Sequence, residues 1–258
     1  VNVNTNWALL ANAGTTAGTN FLGTTDNQHL IFKRNGVQSG LLNTSMFNTS
    51  FGVGALNPIG TGMFNVAIGI SALAANTSGD QSVAVGRSAL SSNTTGQLNV
   101  ALGNSALFSN TTGYRNTASG ANAMVFNTTG TENVANGFYA LHANTTGSLN
   151  TANGMQSMQV NTTGNDNTAN GNYSLGQNTT GNRNTANGAF ALFANTTGNE
   201  NVGDGFQAAR NIVNVTANPN IAIGAYALWG GNTGTLANNT ANDNVVIADA
   251  HQYLLDHY

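Results

Sequence analysis

The chain has no cysteine, only two prolines, and just 6 Lys+Arg and 9 Asp+Glu among 258 residues. Without cysteine there is no disulfide frame and no thiol chemistry, and the redox compartment leaves no mark on the sequence. Charged residues make up 6% of the chain, against about 25% in soluble globular domains, which argues against an ordinary cytosolic globular protein. The net charge of −3 is thinly spread, and Lys33 and Arg34 are the one adjacent basic pair. A basic face that neutralises phosphates is therefore excluded, and nucleic acid is not an expected partner. No apolar run approaches the roughly 20 residues of a spanning helix, and no charged n-region with an h-region opens the chain, so membrane insertion is not expected. Position 1 is Val rather than Met, as expected of a processed or trimmed chain.

What is abundant is turn chemistry: 45 Asn and 32 Gly. Linkers and many disordered tracts carry proline with such residues, and this chain does not. The Asn and Gly are placed by a repeat. Starting at Asn48, one position returns at Asn65, Ser82, Asn99, Asn116, Asn133, Asn150, Asn167, Asn184 and Asn201, always after 17 residues. The unit reads Asn, Thr or Val, Ala, a variable residue, Gly, two variable residues, Ala-Leu, two variable residues, Asn-Thr-Thr-Gly and two more. Irregular copies open at Asn220 and Asn244, after spacings of 19 and 24 residues.

A 17-residue unit is too short for two-helix repeats, whose periods begin near 33 residues, and it lacks the leucine-rich signature. It suits one coil of a β-solenoid. The second to fourth slots alternate as a strand does, as in Val66-Ala67-Ile68 and Val83-Ala84-Val85. Gly in the fifth slot lets the chain turn out of the strand or approach a neighbour closely. The expectation is an all-β, parallel solenoid over residues 48–249, irregular after 210, preceded by a separate β segment or connector over 1–47 and closed by a cap or tail over 250–258. Twelve coils at ~4.8 Å per rung make a rod about 58 Å long.

The runs Asn65–Leu73 and Ser82–Leu90 resemble the left-handed β-roll repeats of YadA-like heads in trimeric autotransporter adhesins. The Asn-Thr-Thr-Gly form is similar to repeats of bacterial and phage tail-fibre-like surface proteins. Trp7–Gly14 and Phe21–Lys33 resemble the segment that precedes such repeats. The resemblance implies a left-handed roll, a homotrimer and a location outside the cell, at the cell surface or on a tail-like particle. It departs in that no C-terminal anchor barrel and no intramolecular chaperone is recognisable. Relatives cleave that chaperone off, which fits a mature chain ending near Tyr258.

Candidate sites are rows rather than points. The fourth slot holds Ile68, Val85 and Leu102, then Ser119, Asn136, Asn153, Asn170, Asn187 and Asp204, then Ile223 and Ile247. If the alanines and Ala-Leu fill the interior, this polar ladder faces a trimer axis or solvent. A structural Asn ladder is favoured over a ligand site, since such ladders stabilise stacked strands. Asp204 would end the ladder, paired with Arg210 or a bound cation, or else stand solvated at the surface. Asn93, Asn110, Asn127, Asn144, Asn161, Asn178 and Asn195 each open Asn-Thr-Thr and formally satisfy the N-glycosylation pattern. The alternative is a turn whose Asn and Thr side chains bond their own backbone. The aromatics Phe108, Tyr114, Phe126, Phe138, Tyr139, Tyr173, Phe190, Phe193 and Phe206 fill space between coils or subunits, or form an exposed recognition stripe.

Catalysis is not expected, and no cofactor. His29, His142, His251 and His257 stand in unrelated slots, with no paired carboxylates or nucleophile elbow beside them. A metal at His251 and His257 would need a third ligand, and the tail with Tyr253, Leu254 and Leu255 reads better as a cap. The leading expectation is a non-enzymatic extracellular head or shaft that contacts a cell-surface receptor or glycan. A self-assembling filament or sheath subunit, joined through Val1–Asn4 and the C-terminal cap, is the alternative. Ice binding by the Thr/Asn face is a third reading, weakened because Val134 interrupts Thr117, Thr151, Thr168 and Thr185.

Overall fold

The computed structural model describes residues 26, 28–211, 220–228 and 245–247. Expectations for Val1–Asn4, for most of the segments around Trp7 and Phe21, for Asn244, and for the tail with His251 and His257 lie outside the described residues. Among the described residues there is no helix, and one 14-stranded sheet runs in strict sequence order. It opens with β1 (Leu30–Arg34) and β2 (Val37–Asn43), an antiparallel hairpin, and β2 pairs antiparallel with β3 (Asn48–Phe51). From there every pairing is parallel, one three-residue strand per coil: β4 (Val66–Ile68), β5 (Val83–Val85), β6 (Val100–Leu102), β7 (Thr117–Ser119), β8 (Val134–Asn136), β9 (Thr151–Asn153), β10 (Thr168–Asn170), β11 (Thr185–Asn187), β12 (Val202–Asp204), β13 (Ile221–Ile223) and β14 (Val245–Ile247). Each residue pairs with its counterpart one repeat on, such as Ala152 with Ala169. The fold is a parallel β-solenoid.

The N-terminal β segment is not separate in its described part. Asn35 and Gly36 take φ of 49° and 77°, the two left-handed positions of the tight turn that Asn-Gly favours. The hairpin they close docks on the first coil through Phe32 and Phe51, whose ring centroids lie 5.3 Å apart. Gly40 between them leaves room for both rings, since a Cβ there would meet Phe51 at 2.9 Å and Phe32 at 3.1 Å.

The interior of a coil holds five side chains. Alanine in the third slot, Ala or Ser in the eighth and, in most coils, Leu or Met in the ninth are fully buried, as in Ala135, Ala140 and Leu141. These form the apolar half, in accord with the alternation of the sequence. The other half consists of two buried asparagines, from the first and twelfth slots, such as Asn133 and Asn144, both fully buried. Asn133 Nδ2 donates to Gly147 O at 2.8 Å and to Asn116 Oδ1 at 3.1 Å. Its Oδ1 accepts from the backbone N–H of Asn150 at 3.0 Å and from Asn150 Nδ2 at 3.1 Å. Asn144 Nδ2 donates to Asn127 Oδ1 at 2.8 Å and to the same Gly147 O at 2.9 Å, and its Oδ1 accepts from Asn161 Nδ2 at 2.9 Å. Two amide rows thus run up the stack, joined in each coil at the glycine carbonyl of Asn-Thr-Thr-Gly. That glycine is required by space: a Cβ on Gly147 would collide with Asn144 Oδ1 and Gly164 O.

The bends are conformationally expensive. In the coil 133–149, Tyr139, Leu141 and Leu149 sit at φ of 57°, 50° and 60°, and Gly137 at 140°. A left-handed non-glycine residue costs about 1–2 kcal/mol. The offset comes from neighbours: Leu141 N–H donates to Ser157 O at 3.0 Å on one side, and Leu149 N–H to Thr131 O at 3.0 Å on the other. The first Thr of each turn also reaches the next coil, as Thr145 Oγ1 does to Thr162 O at 3.0 Å.

Ser82 is the exception in the first-slot row. Its Oγ still accepts from the backbone N–H of Asn99 at 3.2 Å, but it donates to Asp80 O at 3.2 Å, so no amide from this slot reaches the glycine carbonyl. Ser82→Asn is expected to stabilise the protein by about 1 kcal/mol, the net value of one added hydrogen bond. Asn133→Ala leaves the buried backbone N–H of Asn150 without its acceptor and takes one donor each from Gly147 O and Asn116 Oδ1, and is expected to cost about 2–4 kcal/mol. Denaturant melts followed by circular dichroism read both shifts.

Candidate functional site

The surface presents rows, because each outward slot repeats at every rung. On the strand face, the second and fourth slots flank the buried alanine and point outward. Within the fourth slot, Asn136 Nδ2 donates to Asn153 Oδ1, Asn153 to Asn170 and Asn170 to Asn187, each at 2.9 Å. Of the six residues expected in this ladder, these four are joined by side-chain bonds. Ser119 and Asp204 stand in register at its two ends, opposite Asn136 and Asn187. The ladder is on the outside of the coil, and Thr151, Thr168 and Thr185 run beside it.

Asp204 is exposed and is not paired with Arg210. Arg210 instead donates from Nη1 to Gln207 Oε1 at 3.2 Å, and its guanidinium lies 5.1 Å from the Phe190 ring centroid and 5.9 Å from that of Phe193. Position 210 falls in the tenth slot, beyond the fifth-slot glycine, so its side chain belongs to a different face from the fourth slot. The carboxylate partners among the described residues lie in the seventeenth slot instead, where Arg115 meets Glu132 at 2.9 Å and Arg183 meets Glu200 at 2.8 Å. Both pairs are solvent-exposed and contribute about 0–1 kcal/mol each.

Large rings gather on the face beyond the glycine corner. Phe126, Phe138, Tyr139 and His142 form one group, with Tyr139 4.4 Å from both Phe138 and His142, and Phe126 5.0 Å from His142. His142 Nδ1 lies 3.0 Å from Asn122 O, which fixes the proton on that nitrogen because a carbonyl only accepts. Tyr173, Phe190 and Phe193 form a second group, with Tyr173 stacked on Phe190 at 5.2 Å. Gly176 makes room for it: a Cβ there would meet the Phe193 ring at 2.9 Å. Phe206 and Tyr226 make a third contact at 5.4 Å. These rings pack coil against coil, yet Phe126, Phe138 and Phe206 remain about half exposed. The rings thus fill space between coils, one of the two uses expected of them, and three of them also keep an exposed surface.

His29 sits apart at the hairpin, where its Nδ1 accepts from the backbone N–H of Thr44 at 3.2 Å. Among the described residues no three His, Cys, Asp or Glu side chains could hold a metal ion together. A recess between hairpin and first coil, lined by Leu41, Met46, Asn48, Leu56 and Pro58, encloses about 10 Å³, the space of one water.

Asn93, Asn110, Asn127, Asn144, Asn161, Asn178 and Asn195 are not glycan acceptors in this fold. Each is fully buried. The nitrogen a glycan would need already donates twice, as Asn110 Nδ2 does to Asn93 Oδ1 at 2.9 Å and to Gly113 O at 3.0 Å. The turn reading is right in part, since the amide does bond its own glycine carbonyl. Sequence reasoning missed that it also bonds the coil before it. The first and twelfth slots keep asparagine in nearly every coil, but the exposed fourteenth slot keeps threonine as faithfully, as at Thr112, Thr146 and Thr163, so constancy alone did not mark the buried amides.

The chain matches no family model, and no curated protein or solved structure is significantly similar to it. The geometry itself defines the class, a β-solenoid repeat protein.

Two outcomes follow from the inward and outward placement of asparagine. Folded protein secreted from a glycosylating host is expected to show no glycan at any of these seven asparagines by peptide-level mass spectrometry. Asn153→Ala, whose partners are accessible to water, is expected to cost about 1 kcal/mol or less, well below the loss from an inner asparagine.

Proposed function

We propose that the protein is a non-enzymatic, extracellular fibrous head or shaft module that assembles as a homotrimer and contacts a cell surface, through a receptor or a glycan. The observation that carries this reading is the outward repetition of like positions, rung after rung, along one continuous parallel sheet. A surface of that kind offers many weak, equivalent contacts. Threefold display multiplies them into avidity without a deep pocket. Half-exposed rings such as Phe126 and Phe138 supply contact area at low entropic cost. Interior amide rows make the shaft rigid enough to project that surface.

The filament alternative needs an open parallel edge at each end to continue the stack. The hairpin of β1 and β2 reverses strand direction at the N-terminal end, which weighs against growth from that end. For ice binding, the outer asparagines would have to order water, but their amides are engaged with one another.

Light scattering is expected to give a mass about three times the 26.4 kDa of the chain, and electron micrographs are expected to show discrete short rods. A monomer mass removes the trimer, and indefinite fibres favour the filament. Surface contact is tested by retention of the protein on cells or glycan arrays, where the oligomer is expected to be held and a dissociated single chain released.

A further inference from the structure

An asparagine followed by glycine is chemically vulnerable, because the glycine nitrogen reaches the side-chain amide with no side chain of its own in the way. The chain contains five such pairs. Four fill the fourth and fifth slots of successive coils, at Asn136-Gly137, Asn153-Gly154, Asn170-Gly171 and Asn187-Gly188, and the fifth is Asn35-Gly36 in the hairpin turn. In the coils the stack restrains each atom that would react. The glycine N–H donates to the preceding coil: Gly137 to Ser119 O and Gly154 to Asn136 O at 2.8 Å, Gly171 to Asn153 O and Gly188 to Asn170 O at 2.7 Å. The side-chain nitrogens of Asn136, Asn153 and Asn170, which would have to leave, donate to the asparagine of the next coil. The backbone also has no space in which to turn, since a Cβ on Gly137 would meet Gly154 O at 2.6 Å and one on Gly154 would meet Gly171 O at 2.5 Å.

Asn35 has none of these restraints. It and Gly36 are exposed. Among the described residues neither the Asn35 side-chain amide nor the Gly36 N–H has a hydrogen-bond partner, and a Cβ built on Gly36 meets nothing within 4 Å. We propose that Asn35 is a site of spontaneous deamidation, and that the stack keeps the four ladder pairs intact. Hydroxide takes the proton of the Gly36 nitrogen, that nitrogen bonds to Asn35 Cγ, and the Cγ–Nδ2 bond breaks as Nδ2 takes a proton from water and leaves as ammonia. The product is a five-membered imide. Water then adds to one of its two carbonyls and opens the ring, leaving aspartate or isoaspartate at position 35. In the isoaspartate form the main chain gains one carbon, in a turn that admits two residues between the paired Arg34 and Val37. The register that sets Phe32 against Phe51 depends on that turn, so the modification loosens the hairpin at the end of the stack and spares the coils.

The test is a tryptic peptide map of the folded full chain after incubation in warm, mildly alkaline buffer, with digestion at mildly acidic pH, where imide formation is slow. Cleavage after Arg34, Arg87, Arg115, Arg183 and Arg210 places Asn35 in the peptide 35–87, Asn136, Asn153 and Asn170 in 116–183, and Asn187 in 184–210. The peptide 35–87 is expected to gain one mass unit with time, faster as pH rises, and to accept label from an isoaspartyl methyltransferase. The other two peptides are expected to stay unchanged in the folded protein and to gain mass in urea. Asn35→Gly, which suits the left-handed position, is expected to abolish the gain in 35–87. Hydrogen exchange of the aged protein is expected to quicken over Leu30–Asn43 and not over 133–187. The site is overturned if 35–87 stays unmodified in folded protein while 116–183 converts in urea, or if its gain persists in Asn35→Gly. Protection by the stack is overturned if 116–183 converts as fast as 35–87 in the folded protein. Unchanged exchange over Leu30–Asn43 in fully modified protein overturns the loosening of the hairpin.

Discussion

A primary amide in a dry interior has two hydrogens to donate and an oxygen to satisfy, and leaving them unmet costs about 1–3 kcal/mol per group. In this protein two such amides sit inside most coils, and neither can be satisfied by its own coil alone. Each uses the coil before it for one donor and the coil after it for its acceptor, as Asn144 does with Asn127 and Asn161. An isolated coil would hold unmet amides around one leucine and two small side chains. The coil therefore exists only as a member of a stack.

The other features of the repeat follow from that constraint. Alanine in the third slot keeps the coil thin enough for the amides to reach neighbours. The turn glycine yields its side-chain space to Asn144 and to the next coil. The left-handed bends at Tyr139, Leu141 and Leu149 are tolerable because backbone bonds above and below hold them. Stability in such an array is a sum of intrinsic coil terms, which are unfavourable here, and interface terms, which are favourable. Loss of one inner asparagine thus weakens two interfaces, whereas loss of an outer one weakens contacts that water can replace.

The period, the apolar interior and the parallel pairing were legible in the sequence because strand alternation and spacing report directly on which side chains face inward. The amide half of the interior was not, since asparagine reads as a turn residue and Asn-Thr-Thr reads as a surface sequon. Burial reverses both meanings, and burial is a property of the stack rather than of the coil. The hairpin was legible in principle: Asn35-Gly36 between Leu30–Arg34 and Val37–Asn43 is a strong turn signal. Its continuity with the solenoid was not, because it depends on Phe32 and Phe51 meeting over Gly40. Asp204 and Arg210 are close in sequence, but the intervening glycine corner sends them to different faces.

The inner amide rows also have a sense of direction. In the twelfth-slot row, and in the first-slot row from Asn133 onward, the side-chain nitrogen of each coil donates back toward the N-terminal neighbour, as Asn150 does to Asn133 and Asn161 to Asn144, whereas the outer ladder runs the opposite way. Each inner row is thus a file of aligned amide dipoles, with hydrogens leading at one end and oxygens at the other. Among the described residues, Asn195 Oδ1 is the buried oxygen at which the twelfth-slot file stops without a donor. The stack therefore has a direction electrically as well as by strand order, its inner amide nitrogens facing back along the chain and its inner amide oxygens forward.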